Sequence, residues 1–338
     1  MRPVRTIGVL AAVSIAITLL LASCSGDDSE SLTVYSGRNQ DLVGPLLEQF
    51  TEETGIKIEF RGGDSGELAA QIITEGDASP ADVFFSQDAG ALGAVSKAGL
   101  FSTLPESVLD QVPEWAQSPD GHWVGVSGRV RVLAYDPVEV TTPPDQIDAL
   151  LAPEWKGKIG YAPTNASWQS FVTGLRVLRG EDGAKAWLEA FADQDPKAYP
   201  NNITVLDGIE DGEVELGLVN HYYLYERIAD RGEADVKVRN QFMAAGDAGG
   251  LVNVAGVGIL ASSEKQEQAL RLVEFLLSPE AQEYFANETK EFPLVPGVEA
   301  EAELPALASL QPPAIDLSEL DSIAATQELL EETGLLTR

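Results

Sequence analysis

A chain of 338 residues has room for about two domains, each large enough for its own core. Apolar residues make up 44% of it and charged residues 22%, the balance of a folded soluble protein rather than a disordered one. The formal charge of -32, with no block of Lys or Arg to interrupt it, excludes nucleic acid and anionic lipid surfaces as partners, because both repel such a chain.

At the amino terminus Arg2 and Arg5 precede an apolar run over 7–20, which Leu21-Ala22-Ser23-Cys24 closes. This is the pattern of a targeting segment, so residues 1–23 are set aside from fold reasoning. The tetrapeptide resembles the lipobox of bacterial lipoproteins, which implies lipidation of Cys24, the only cysteine. Residues 24–31 are polar and acidic and read as a tether. The expected location is the outer face of the cytoplasmic membrane, with a lipid anchor instead of a spanning helix.

From residue 31 onward strands and helices alternate. A strand over 31–36, a helix over 41–54 stopped by Gly55 and a strand over 56–60 form a βαβ opening. Asp64 and Glu67 have capping-box spacing and start a helix to about Glu75. A short apolar strand over 81–85 follows, and Asp88 begins the next helix. The pattern predicts an α/β architecture of mainly parallel sheets covered by helices, with functional residues just beyond the strands' carboxyl ends, at 36–40 and 86–88 in the first half.

Residues 125–135 form a strand-like run longer than one globular strand usually needs, and residues 249–260 form a second. Two such runs can act as hinge strands that cross between domains and leave a cleft. The expected division is 32–128 with 254–300 in a first domain, and 129–253 with 301–338 in a second. Helices are predicted over 167–179, 183–193, 202–211, 264–277, 279–287 and 317–336, with a strand over 158–161.

The apolar run 214–219 leads into Asn220-His221-Tyr222-Tyr223. Adjacent tyrosines at a strand's carboxyl end can reach a cleft, and a phenolate oxygen is a hard anionic donor suited to Fe(III). Taken alone, such a pair is more often packing residues that leave their hydroxyls in water. His221 and His122 are expected at the surface. No G-x-S-x-G elbow, HExxH or mature-chain cysteine nucleophile argues for an enzyme, and no phosphate-binding loop for an ATPase.

Together, Leu32-Thr33-Val34-Tyr35-Ser36-Gly37, Pro80-Ala81-Asp82-Val83-Phe84-Phe85, Ser127-Gly128-Arg129 with Arg131, Trp155-Lys156-Gly157-Lys158-Ile159-Gly160-Tyr161 and Asn220 before Tyr222-Tyr223 resemble the periplasmic ferric-binding proteins of bacterial iron importers. These are a branch of the type II substrate-binding proteins. The resemblance implies a two-domain fold, Tyr222 and Tyr223 as metal ligands, and an ABC transporter permease as partner. Many members carry a histidine where Asn39 stands and a glutamate where Gln87 stands. Here both cleft-lining positions are neutral amides, which leaves one charge of an Fe(III) bis-phenolate uncompensated. An exogenous anion such as carbonate, phosphate or citrate is therefore expected. By the resemblance it sits on the helix start at Asn165, Ala166 and Ser167, with Asn202, Asn220, Arg129 and Arg131 near it. The competing reading keeps the fold and changes the cargo to a phosphonate, thiamine or a polyamine.

Overall fold

The computed structural model describes residues 31–298 and 304–336. The targeting segment, Cys24 and all of the tether except Ser31 lie outside them.

The first domain begins with β1 (Ser31–Ser36), α1 (Gln40–Thr54), β2 (Lys57–Gly62), α2 (Ser65–Glu75), β3 (Val83–Ser86) and α3 (Ala89–Lys97). Val43, Leu46, Leu47 and Phe50 recur at helical spacing, so α1 buries one face, and Gly55 stops it at φ 76°. β1 pairs in parallel with both β2 and β3, which brings all three carboxyl ends to one edge. After the single turn α4 (Glu106–Leu109), the chain enters β4 (Val124–Tyr135).

β4 has 12 residues, about 40 Å of extended chain. Its first half pairs antiparallel with β9 (Val252–Ile259), and its second half, from Arg131, pairs antiparallel with β7 (Leu216–Asn220). It crosses between the domains, as its length suggests. The second domain adds β5 (Ile159–Tyr161), α5 (Ala166–Asp193), β6 (Lys197–Ala198), α6 (Asn202–Glu210), α7 (Tyr222–Arg231) and β8 (Arg239–Gln241). β5 lies in parallel between β6 and β7, so their carboxyl ends also share an edge. The chain returns through β9, then α8 (Gln266–Leu276), α9 (Pro279–Asn287), β10 (Phe292–Pro293) and α10 (Ile323–Glu332).

The strand order is β2-β1-β3-β9-β4-β7-β5-β6, with β8 and β10 paired to β4. The outer strands of each domain are parallel and the central pairs antiparallel, because the two crossing strands run in opposite directions. One hydrophobic cluster, including Phe50, Phe84, Trp123 and Phe285, fills the first domain. Two clusters cover the second domain: Trp168, Phe171, Trp187 and Phe191 belong to one, Val205, Val219 and Val236 to the other.

Three local expectations change. The second crossing strand starts at Val252 rather than 249, because Asp247 accepts the Gly249 N–H and holds 248–250 in a 3-10 turn. The helices expected over 167–179 and 183–193 form one element with a break at Gly180, which has φ 72°. The carboxyl-terminal stretch, expected as one helix in the second domain, is divided. Leu317–Asp321 is a 3-10 turn whose Leu317 and Leu320 join the first-domain core, and α10 packs into the second. Gly90 and Gly93 permit this: a Cβ on either would meet the Leu320 or Ser318 carbonyl oxygen at 2.4 or 2.7 Å.

Candidate metal centre

The carboxyl edges of the two sheets face each other across a cavity of about 300 Å³. Gly37 follows β1, Asp64 and Ser65 follow β2, and Gln87 follows β3. Opposite them stand residues 164–167 after β5, Pro200 after β6, Asn220 at the end of β7, and Tyr222 and Tyr223 just after it. Arg129 reaches the same cavity from β4.

Tyr222 and Tyr223 open α7, with ring centroids 4.3 Å apart and planes at 36°. Tyr222 is 6% exposed. Burial raises its phenol well above the ordinary tyrosine range, and the charge and hydrogen bond of Tyr223 push the same way, against the pull of Arg129. The metal-free pair is therefore protonated at Tyr222, and a cation must displace that proton to bind there.

The residues beside the pair are tightly tied. Asn165 caps α5 by accepting the Ser167 N–H at 3.0 Å, and Asn202 Nδ2 donates to the same Oδ1 at 3.2 Å. Arg131 Nη1 donates to Ser167 Oγ at 3.1 Å and Nη2 to the Leu218 carbonyl at 2.8 Å. Its guanidinium lies over Trp168 and Phe171, and burial pulls its pKa down to about 9. Arg131 and Asn202, expected to touch the anion, do not line the cavity and stand one layer behind Ser167. Arg129 is different. It is 2% exposed, donates Nη1 to the Gln87 carbonyl, and leaves Nε and Nη2 without a partner. An orphaned buried guanidinium beside a helix amino terminus is an arrangement that receives an anion.

Other expected residues move. Asn39, expected in the cleft, is exposed and caps α1 by accepting the Asp41 N–H at 3.0 Å, so it does not line the cavity. Gln87 does line it. His221, expected at the surface, is fully buried: Nδ1 accepts the Val130 N–H, Nε2 donates to the Lys290 carbonyl, and the ring stacks on Phe292. Burial lowers its pKa to about 4, so the neutral tautomer pins the tyrosine turn to β4 and β10. His122 is half-buried, with Nδ1 2.9 Å from Ser96 Oγ.

Two features escaped the sequence reading. Asp64 and Ser65 line the cavity, and their place directly after β2 was the available signal. Arg38 and Glu291, 253 residues apart, form a buried bidentate ion pair at 2.9 and 2.6 Å. Ser127 and Thr289 also donate to Glu291. Among the described residues no three His, Cys, Asp or Glu side chains cluster as a metal site, and no helix is long and apolar enough to cross a membrane.

The chain matches the model of the bacterial extracellular solute-binding protein family over residues 78–319. It is 31% identical to the Fe(3+)-binding periplasmic protein of Serratia marcescens, over 98% of this chain and 99% of that protein. Among solved structures, iron-bound HitA from Pseudomonas aeruginosa superimposes with a TM-score of 0.83 at 32% identity, over 90% of this chain and 99% of that one. The Trichodesmium IdiA (FutA) protein in complex with iron and citrate gives 0.78 at 29% identity, over 90% and 99%. The chain thus belongs to the bacterial extracellular solute-binding proteins, binding proteins rather than enzymes, and has the two-domain type II fold of its ferric-binding relatives.

Proposed function

We propose that the protein is an extracytoplasmic ferric-ion receptor that delivers Fe(III) to the permease of an ABC importer. Tyr222 and Tyr223 bind the metal, and an exogenous anion completes its coordination on 165–167 and Arg129. The observation that carries this reading is the pair of adjacent phenols at the mouth of β7, lining one cavity with a buried guanidinium that has two unpaired nitrogens. The iron-binding relatives support the choice of cargo. Lipid attachment at Cys24 would hold the receptor at the membrane surface.

Each group has a separate task. The phenolates supply hard anionic oxygens, and loading releases their protons, so affinity falls as pH falls. Arg129 and the first turn of α5 meet the anion. Asn220 lines the wall next to the pair. Closure removes water and strengthens each charge contact. The two hinge strands let one lip move against the other while Arg38 and Glu291 keep the loop after β1 fixed to the segment before β10.

The test is a visible absorption titration with a ferric chelate, with and without bicarbonate, on the protein from Ser25 onward and on Tyr222→Phe and Tyr223→Phe. A saturable phenolate-to-iron charge-transfer band, weakened in each variant and strengthened by the anion, is the expected result. Absence of the band in a folded protein that closes on an organic ligand would transfer the reading to an organic cargo.

A further inference from the structure

The cavity holds a carboxylate that the ligand set above does not use. Asp64 lies two residues past β2, and because β1, β2 and β3 are parallel it stands on the edge that faces the tyrosines. It is the one carboxylate among the residues lining the cavity, as Arg129 is the one guanidinium. Oδ1 is occupied as the cap of α2, accepting the Gly66 N–H at 2.8 Å and the Glu67 N–H at 3.3 Å. Oδ2 makes no hydrogen bond among the described residues, and the residue is exposed while lining the cavity.

Charge arithmetic gives this carboxylate a role. Fe(III) on two phenolates keeps one positive charge, and the unpaired Arg129 guanidinium adds a second. The buried carboxyls of Asp88 and Glu291 act on Arg129 from behind the wall, but of the first-domain residues lining the cavity only Asp64 can meet the ferric charge, since Gln87 and Ser65 are neutral. We propose that Asp64, through Oδ2, is a third anionic protein ligand of the ferric ion, supplied by the first-domain lip, so that a singly charged anion completes the site. This rests on the tyrosine reading. A carboxylate oxygen is a hard donor of the type that Fe(III) prefers, and the cap fixes its backbone in advance. Asp64 thus stands in for the anionic ligand absent at Gln87, from the loop after β2, which touches Gln87 through Ser65 Oγ.

Asp64→Asn isolates the charge, because Asn caps a helix as well as Asp and has nearly the same volume. Ferric affinity is measured by competition with citrate, in bicarbonate or in phosphate, while the charge-transfer band is followed. The expected variant keeps the band and the metal-free melting temperature. It loses at least about 10-fold to 100-fold in affinity in bicarbonate, the range lost when merely an outer partner of a metal ligand is removed. Phosphate recovers more of the loss than bicarbonate does, and Asp64→Glu, which keeps the charge, binds more tightly than Asp64→Asn. Unchanged affinity and unchanged anion preference in Asp64→Asn would overturn the proposal and leave Asp64 a helix cap. Failure of the tyrosine reading shows separately, as absence of the band in the unaltered protein.

Discussion

The two lips of the cleft are built from the same part of the same kind of sheet, yet they differ in how firmly their side chains are held. On the second-domain lip Ser167, Asn202, Asn220 and Tyr222 are all buried, and Asn165, Ser167, Asn202 and Arg131 form one bonded group. Of the first-domain residues lining the cavity, Asp64 is exposed, Gln87 is half-buried, and Ser65 is buried, accepting the Gln87 N–H at 2.9 Å. Preorganised donors cost little to order when ligand arrives, whereas exposed ones must be ordered on closure. The second lip therefore meets metal and anion with groups already in place, whereas the first must order Asp64 and Gln87 as the cleft closes.

Removing a phenol from the firm lip should have the largest effect. Tyr222→Phe or Tyr223→Phe should lower ferric affinity on the order of 100-fold to 1,000-fold, as expected for loss of one partner of a buried charge pair, read by chelator competition. Equal losses from Gln87→Ala would mean the lips do not differ. Next in size, Glu291→Gln leaves the Arg38 guanidinium buried without its carboxylate. Chemical denaturation of the metal-free protein should show a loss of about 3–5 kcal/mol.

Gly37→Ala disturbs the loose lip. A Cβ there would lie 1.8 Å from Ser65 Oγ and 3.0 Å from its Cα, so the loops after β1 and β2 must separate. A stability loss of about 1–3 kcal/mol is expected in thermal melts, with the charge-transfer band retained but the ferric off-rate raised. The smallest effect concerns Glu226 on α7. Burial and the charge of Glu291 raise its carboxyl to about 7, against the pull of Arg38. A carboxyl raised in the folded state stabilises below its unfolded pKa of 4.5, and that contribution is lost as pH rises through about 7. Glu226→Gln, neutral at every pH, should match the parent protein at pH 5 and melt higher at pH 8.

What the sequence revealed follows the same division. The crossing strand 124–135, the tyrosine pair and the helix start at 165–167 were legible because length, strand-end position and capping chemistry are local properties. Asp64 was legible only as a cap: its Oδ1 accepts the Gly66 N–H while the residue also lines the cavity, and the spacing to Glu67 speaks for the cap alone. His221 looked like a surface residue because the groups that bury it, Lys290 and Phe292, arrive from far along the chain. The Arg38–Glu291 pair was hidden for the same reason. Asn39 shows the reverse case, a position that the resemblance put in the cleft and that local capping turns outward.

The most direct test of the whole account is a crystal structure of the ferric-loaded protein with the metal located by anomalous scattering. The account predicts one iron within bonding distance of both Tyr222 and Tyr223 hydroxyl oxygens and of Asp64 Oδ2, with an anion on 165–167 and Arg129. Iron bound away from the tyrosine pair, or a closed cleft filled by an organic molecule without metal, would contradict it.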